Sequence, residues 1–224
     1  MDQPKGLRRG YFFYGVDLLI EPNIKRTYAY FDGQNFFYAA KEAFGYRFPN
    51  YAPWILSIKI CQMYGWRLDK IFFYPGIPSP QDDPFWSGFW AKKLAIMGTR
   101  GVEVFSRELR YRNRSIRLED GSEKTILVGQ EKGIDIRLAL DVIRCGRDEL
   151  FDVALIFSQD QDLSEVAVEI RRIAARQKRW IKIASAFPFS PASVNKRGIN
   201  RTDWIKIDKD LYDSCVDTAD YRPE

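Results

Sequence analysis

A chain of 224 residues with 46% hydrophobic content can fill one well-buried core but not two generous ones, so a single domain with short additions is expected. Lys and Arg number 35 against 30 acidic residues, a formal charge of +5 that suits a polyanionic partner. Histidine is absent, which removes every mechanism needing an imidazole base or ligand; Cys61, Cys145 and Cys215 stand in no C-x-x-C spacing, which argues against a zinc site and a disulfide framework and fits a reducing cytoplasm.

Residues 1 to 26 mix basic and aromatic side chains, and their apolar run from Tyr11 to Ile20 is interrupted by Asp17 and lacks a small-residue cleavage site. We expect an N-terminal arm there, neither signal peptide nor membrane span, with edge strand, oligomer contact and mobile extension all open. The first strand runs from Thr27 to Phe31 and leads directly into Asp32-Gly33-Gln34-Asn35 and a helix over Phe36 to Phe44. A helix over Ala52 to Tyr64, a strand over Lys70 to Tyr74, a helix over Pro84 to Met97 and a strand over Val102 to Phe105 follow. From Arg107 to Gly129 the residues alternate around Glu119-Asp120-Gly121, the pattern of a β-hairpin with a D-G turn. A helix over Ile134 to Cys145, a strand over Asp152 to Ser158, a helix over Leu163 to Gln177 and strands over Trp180 to Ala184 and Trp204 to Ile207 complete the order. From Asp208 onward six carboxylates face Lys209 and Arg222, a tail expected to be loosely held. Strands alternating with helices predict an α/β fold with a mostly parallel sheet covered by helices.

In such a sheet, ligands gather beyond the carboxyl ends of the strands, so polar residues just after a strand carry the most information. Asp32 and Asn35 follow the first strand; Ser158, Asp160 and Asp162 follow the strand Val153-Ala154-Leu155-Ile156-Phe157. Asp135 opens the helix whose Leu138, Ala139 and Val142 form an apolar stripe. Carboxylates converging in one crevice repel one another, and a bound cation resolves the conflict. Oxygen donors with neither histidine nor thiolate suit Mg²⁺ or Mn²⁺. Each acid also has a structural role open to it. Asp162 with Glu165 spells a capping box, Asn35 could cap the helix starting at Phe36, and Asp135 could simply favour the helix dipole. Ser158 could orient Asp160. Asp141, four residues after Arg137, reads as a surface ion pair and is left out of the site. Two basic stretches, from Arg100 to Arg117 and from Arg171 to Lys182, could contact phosphates or be solvated faces. There is no G-x-G-x-x-G and no G-x-x-x-x-G-K loop.

These motifs resemble the NYN branch of the PIN-like nuclease superfamily. The family's D-G-x-N, K-G-x-D and S-G-D-x-D elements are matched in order by DGQN at 32 to 35, KGID at 132 to 135 and SQDQD at 158 to 162; IKIASAFPFSPAS and TDWIKI look like its closing strands. The resemblance spans about residues 27 to 211, with the acidic tail from 212 to 224 outside it. It implies a PIN-like three-layer α/β/α fold with strand order 3-2-1-4-5 and a metal-dependent (Mg²⁺ or Mn²⁺) endoribonuclease. It also implies Asp32, Asp135, Asp160 and Asp162 as metal-binding and catalytic acids, with Asn35 assisting. Lys132, Arg107, Arg110, Arg112 and Arg114 are the expected RNA contacts, the RNA being single-stranded or structured. Gln159 departs from the pattern, standing where the family usually has a glycine. The alternative is a non-catalytic RNA-binding or regulatory NYN module. A haloacid-dehalogenase-like phosphatase would need D-x-D, and Asp32-Gly33-Gln34 does not supply it. No membrane partner is expected, and the N-terminal arm with Trp86 and Trp90 could support a homo-oligomer.

Overall fold

The sequence Lys25–Asp32 becomes extended because its aromatic and β-branched residues fit a pleated surface buried on both sides: from Ala29 to Asp32 every side chain is buried. This strand, β1, is the axis of the molecule. In the computed structural model, which describes residues 19–117, 122–130 and 133–223, it is followed by helices α1 (Gly33–Phe44) and α2 (Pro53–Tyr64). Next come strands β2 (Trp66–Tyr74) and β3 (Gly76–Ile77), helix α3 (Pro84–Thr99), and strands β4 (Val102–Val104), β5 (Arg107–Glu108), β6 (Arg110–Arg117) and β7 (Glu123–Gln130). Helix α4 (Ile134–Arg147), β8 (Val153–Phe157), α5 (Ser164–Gln177), β9 (Lys182–Pro188), β10 (Asp203–Ile207) and the short α6 (Lys209–Asp213) complete the chain. No helix among the described residues is long and apolar enough to cross a membrane.

Six strands form one sheet in the order β10-β9-β8-β1-β2-β4, every neighbouring pair parallel. Numbered by chain order within the sheet, this is 3-2-1-4-5 with a sixth strand added beyond the fifth. The extra strand corrects the expected order only at its edge. Its residues Asp203–Ile207 pair with Ala184 to Pro188, so β9 runs further toward its carboxyl end than the expected Ala184. The period-2 alternation of the strands sorts their side chains onto two faces. Phe31, Phe73, Leu155, Phe157, Ala184 and Ile205 pack with α1, α2 and α3. Tyr30, Phe72, Tyr74, Ile156 and Ile183 pack with α4 and α5. The result is a three-layer α/β/α architecture. At its centre Phe31 and Phe157 stack with ring centroids 3.8 Å apart, each one residue ahead of a polar group at a strand's end.

The hairpin excursion is present as β6 and β7, antiparallel from Arg110 opposite Gln130 to Arg117 opposite Glu123. Its turn at Glu119-Asp120-Gly121, the first 18 residues of the arm, and Lys132 lie outside the described residues. The acidic tail is not loosely held. Tyr212, Cys215 and Tyr221 are buried, Val216 bridges to Tyr51, and the Asp217 amide donates to the Asn50 carbonyl at 2.9 Å. The tail's apolar residues outweigh its charges because Lys93, buried beneath it, lies 3.9 Å from the Asp217 carboxylate and donates to Asn50 and Tyr51.

Candidate metal centre

The chain leaves β1 toward β2 on one side and returns to β8 on the other, so the carboxyl ends of β1 and β8 form the topological switch point where a crevice opens. Asp32 is the last residue of β1 and the N-cap of α1: its Oδ1 accepts the Asn35 amide at 3.1 Å, and its Oδ2 accepts the Ser158 hydroxyl at 2.9 Å. Asn35 therefore is not the cap expected from its position. Its own Oδ1 accepts the Gln159 amide at 2.8 Å and ties α1 to the loop after β8. The glycine between them is dictated by space. A Cβ on Gly33 would lie 3.0 Å from the Tyr74 carbonyl oxygen and 3.2 Å from Pro75 Cα, both backbone atoms that cannot swing aside.

Asp160 caps the single 3₁₀ turn Gln161–Leu163 by accepting the Asp162 amide at 2.9 Å, and its own amide donates to Ser158 Oγ at 3.0 Å. The capping box expected of Asp162 and Glu165 does not form, because this turn intervenes and Asp160 supplies the acceptor two residues earlier. Ser158 serves both acids, holding Asp32 through its proton and Asp160 through its oxygen. Asp135 lies in the first turn of α4, whose N-cap Gly133 takes the left-handed conformation (φ 78°). A Cβ there would also stand 2.9 Å from the Arg107 guanidinium, which packs over this helix start.

One carboxylate oxygen each from Asp32, Asp135 and Asp160 lie within 4.8 Å of one another. Asp162 is exposed and outside this set, although its charge reaches Asp135. Burial drives the Asp32 carboxyl up from 3.8 to about 7; the Asn35 amide and the Ser158 hydroxyl oppose this, and the charges of Asp135 and Asp160 reinforce it. Asp135 is also raised, first by loss of solvent and then by Asp160 and Asp162. Three hard oxygen donors that repel one another fit a small divalent ion and no soft one.

The acids line an open cleft of about 660 Å³ whose other wall is Asn35, Tyr38, Ala39 and Glu42 of α1, with Asn195 closing it. Sequence reasoning missed Tyr38 and Glu42, though their i, i+3 and i+7 spacing from Asn35 marks one helix face. Glu42 accepts the amides of Val194 and Asn195 at 2.6 and 3.3 Å and fixes that loop rather than joining the acids. Asn195 lies in an irregular stretch with no pattern to reveal it. Gln159 stays out of the left-handed region, so the backbone conformation there does not call for a glycine. Its side chain donates to the carbonyls of Arg197 at 2.7 Å and Asn195 at 3.3 Å, locking the same loop.

Several expected contacts fall elsewhere. Asp141 is buried, not on the surface: it accepts the Tyr74 hydroxyl at 3.0 Å and pairs with Arg137 and Arg144 at 2.8 and 3.0 Å, because β2 brings Tyr74 under α4. The second basic stretch is largely engaged in the fold. Arg179 pairs with Asp152, Lys182 with Asp203 and Arg172 with Glu169, and Lys182 lies at the amino end of β9, opposite the cleft. Of the hairpin arginines, Arg107 adjoins the site through Gly133; the side chains of Arg110, Arg112 and Arg114 lie outside the described residues.

No family model and no curated protein matches the chain. A crystal structure of a protein of unknown function from Vibrio parahaemolyticus is similar in fold, with a TM-score of 0.51 at 20% identity over 83% of this chain and 94% of that one.

Proposed function

We propose that this chain is a metal-dependent endoribonuclease of the NYN type, with Asp32, Asp135 and Asp160 holding Mg²⁺ or Mn²⁺. The observation that carries the reading is the meeting of three acids, from the ends of β1 and β8 and the start of α4, within 4.8 Å at the switch point of a parallel sheet. When bound, such an ion supplies neutralisation of phosphate charge and a water of lowered pKa. The rest of the work falls to the protein. Ser158 and the Asn35 amide fix the direction of the Asp32 carboxylate. Asp162 adds negative potential beside Asp135, which favours the ionic over the empty cleft. The Asn35 side chain is assigned by its contact: its oxygen is taken by the Gln159 amide, so its amino group, which has no partner among the described residues, is left to donate to a phosphate oxygen in the cleft. Arginines of the sequence from Arg107 to Arg117 supply attraction for the polyanion.

The test is cleavage of single-stranded and structured RNAs in Mn²⁺, Mg²⁺ or chelator. Loss of an outer partner of a metal ligand typically costs 10- to 100-fold, so removing a ligand in Asp160→Asn should cost at least about 100-fold. Undiminished cleavage by Asp160→Asn, or binding of RNA without cleavage in any divalent ion, rules the reading out; the second result favours a regulatory module.

A further inference from the structure

Beside the acidic cleft, beyond the carboxyl end of β2, runs a second groove of about 610 Å³ that the proposed hydrolysis does not use. One wall is α3, presenting Trp86, Phe89 and Trp90; the other includes Phe37 and Phe48, and Pro75, between β2 and β3, and Gly76, the first residue of β3, also line it. Trp86 and Trp90, which the sequence offered as support for a homo-oligomer, are half-buried here. Trp86 packs against Phe48 and Phe89 with centroids 5.4 and 5.2 Å away, so its ring is braced at its sides.

We infer that this groove is a stacking slot for one unstacked nucleobase of a single-stranded RNA whose backbone lies in the acidic cleft. The inference rests on the nuclease reading and adds the substrate form. Three features favour a base over an apolar peptide. The groove and the cleft share Gln34 and Tyr38, so an occupant of one abuts an occupant of the other. The Gln34 side chain makes no hydrogen bond among the described residues, leaving an amide donor and acceptor at the junction, which suits the polar edge of a planar ring and is wasted on an apolar side chain. At Leu109 the groove's wall reaches the residue before β6, a strand whose sequence holds four arginines and no acid, so the segment that follows the groove is basic, as a polyanionic occupant requires. Rigid aromatic faces accept any base, so the slot selects single strands rather than a sequence.

The experiment compares a short fluorescein-labelled single-stranded RNA with copies carrying one abasic ribose at successive positions. Binding is read by anisotropy in Ca²⁺ and cleavage in Mn²⁺. Stacking of one base is worth about tenfold or more. The intact chain should therefore bind the full RNA roughly tenfold better than one abasic copy; Trp86→Ala should abolish that preference, and Trp86→Phe should keep most of it. Indifference to the abasic position in the intact chain overturns the inference, as does a Trp86→Ala chain of unchanged melting temperature that keeps the preference. Conversion of a dimer to a monomer by Trp86→Ala, with base preference intact, assigns the groove to a second copy instead. Cleavage separates the two ideas: base preference with no cleavage leaves the slot standing and removes the hydrolytic reading, whereas cleavage lost in Asp160→Asn but indifferent to Trp86 and to abasic sites does the reverse.

Discussion

Replacing Asp32 by Asn removes a buried charge while keeping the shape and the cap, since Asn serves as an N-cap about as well as Asp. In the folded chain Asp32 keeps its proton to about pH 7, against an ordinary 3.8, chiefly because it is buried. Folding therefore binds a proton between those values. This group's contribution to stability falls as pH rises through that window and levels off above it. At about 1.36 kcal/mol per pH unit the penalty approaches ~4 kcal/mol at its limit. The variant keeps an oxygen for the Asn35 amide but turns an NH₂ toward the Ser158 hydroxyl, so that hydrogen bond must reverse its direction or break, which takes back about 1 kcal/mol. The net gain of ~2–3 kcal/mol corresponds to a melting temperature higher by roughly 4–12 °C in a chain of this size. The assay is thermal unfolding of both chains in chelator from pH 4 to 8. Groups such as Asp152, lowered by Arg26, shift stability with pH in the opposite sense, but they are common to both chains and cancel in the difference. The advantage of the variant should be near zero at pH 4, grow to its maximum above pH 7, and shrink on adding Mn²⁺, which stabilises only the chain that binds it. A variant less stable than the parent at pH 8 in chelator, or a difference that does not change with pH, refutes the argument that the unfilled cluster stores electrostatic strain.

Two further changes probe the support of the site. Phe157→Ala empties the space under the Phe31 ring and should cost ~3–5 kcal/mol in guanidinium unfolding, with Mn²⁺ affinity reduced because Ser158 follows directly; a cost below about 1 kcal/mol would show that the stacked pair does not anchor the strand ends. Gln159→Ala removes the donors to the Asn195 and Arg197 carbonyls, at about 1–3 kcal/mol, and should speed hydrogen exchange of residues 195 to 198 while β1 and β8 stay protected; unchanged exchange would mean that Glu42 and Gln161 hold that loop without it.

The strands were legible because burial on both faces writes itself as continuous apolar runs, as in Val153–Phe157, and each of the six expected strands is present with shifted ends. What was not legible depended on partners far along the chain. Arg137 and Asp141 do pair as their spacing suggests, but nothing local announces that Tyr74, 67 residues earlier, buries that carboxylate. The tail reads as polar by count, yet Tyr212, Cys215 and Tyr221 dock it against Asn50, Tyr51 and Lys93, contacts visible only once α2 and α3 are placed. Gln159 read only as a departure from a motif, whereas its side chain bonds a loop that sequence could not bring near.

At the acids themselves, capping and ligation looked like competing explanations, and the geometry removes the opposition. A cap uses one carboxylate oxygen as the acceptor for a backbone amide, which costs the side chain its freedom to rotate away. Asp160 spends Oδ1 on the Asp162 amide, and its other oxygen has no protein partner among the described residues. Asp32 is held more completely, by an amide on one oxygen and a hydroxyl on the other, and it is the more deeply buried of the two. The backbone amides that terminate α1 and the 3₁₀ turn thus aim the carboxylates at a common point, so a chain that needs acids fixed at the carboxyl ends of β1 and β8 gains by making them caps. An acid that both begins a helical turn and ends a central strand is, on this reasoning, a stronger candidate for ligation than one with no structural duty, because an uncapped carboxylate would spread its charge over several rotamers instead of presenting it in one place.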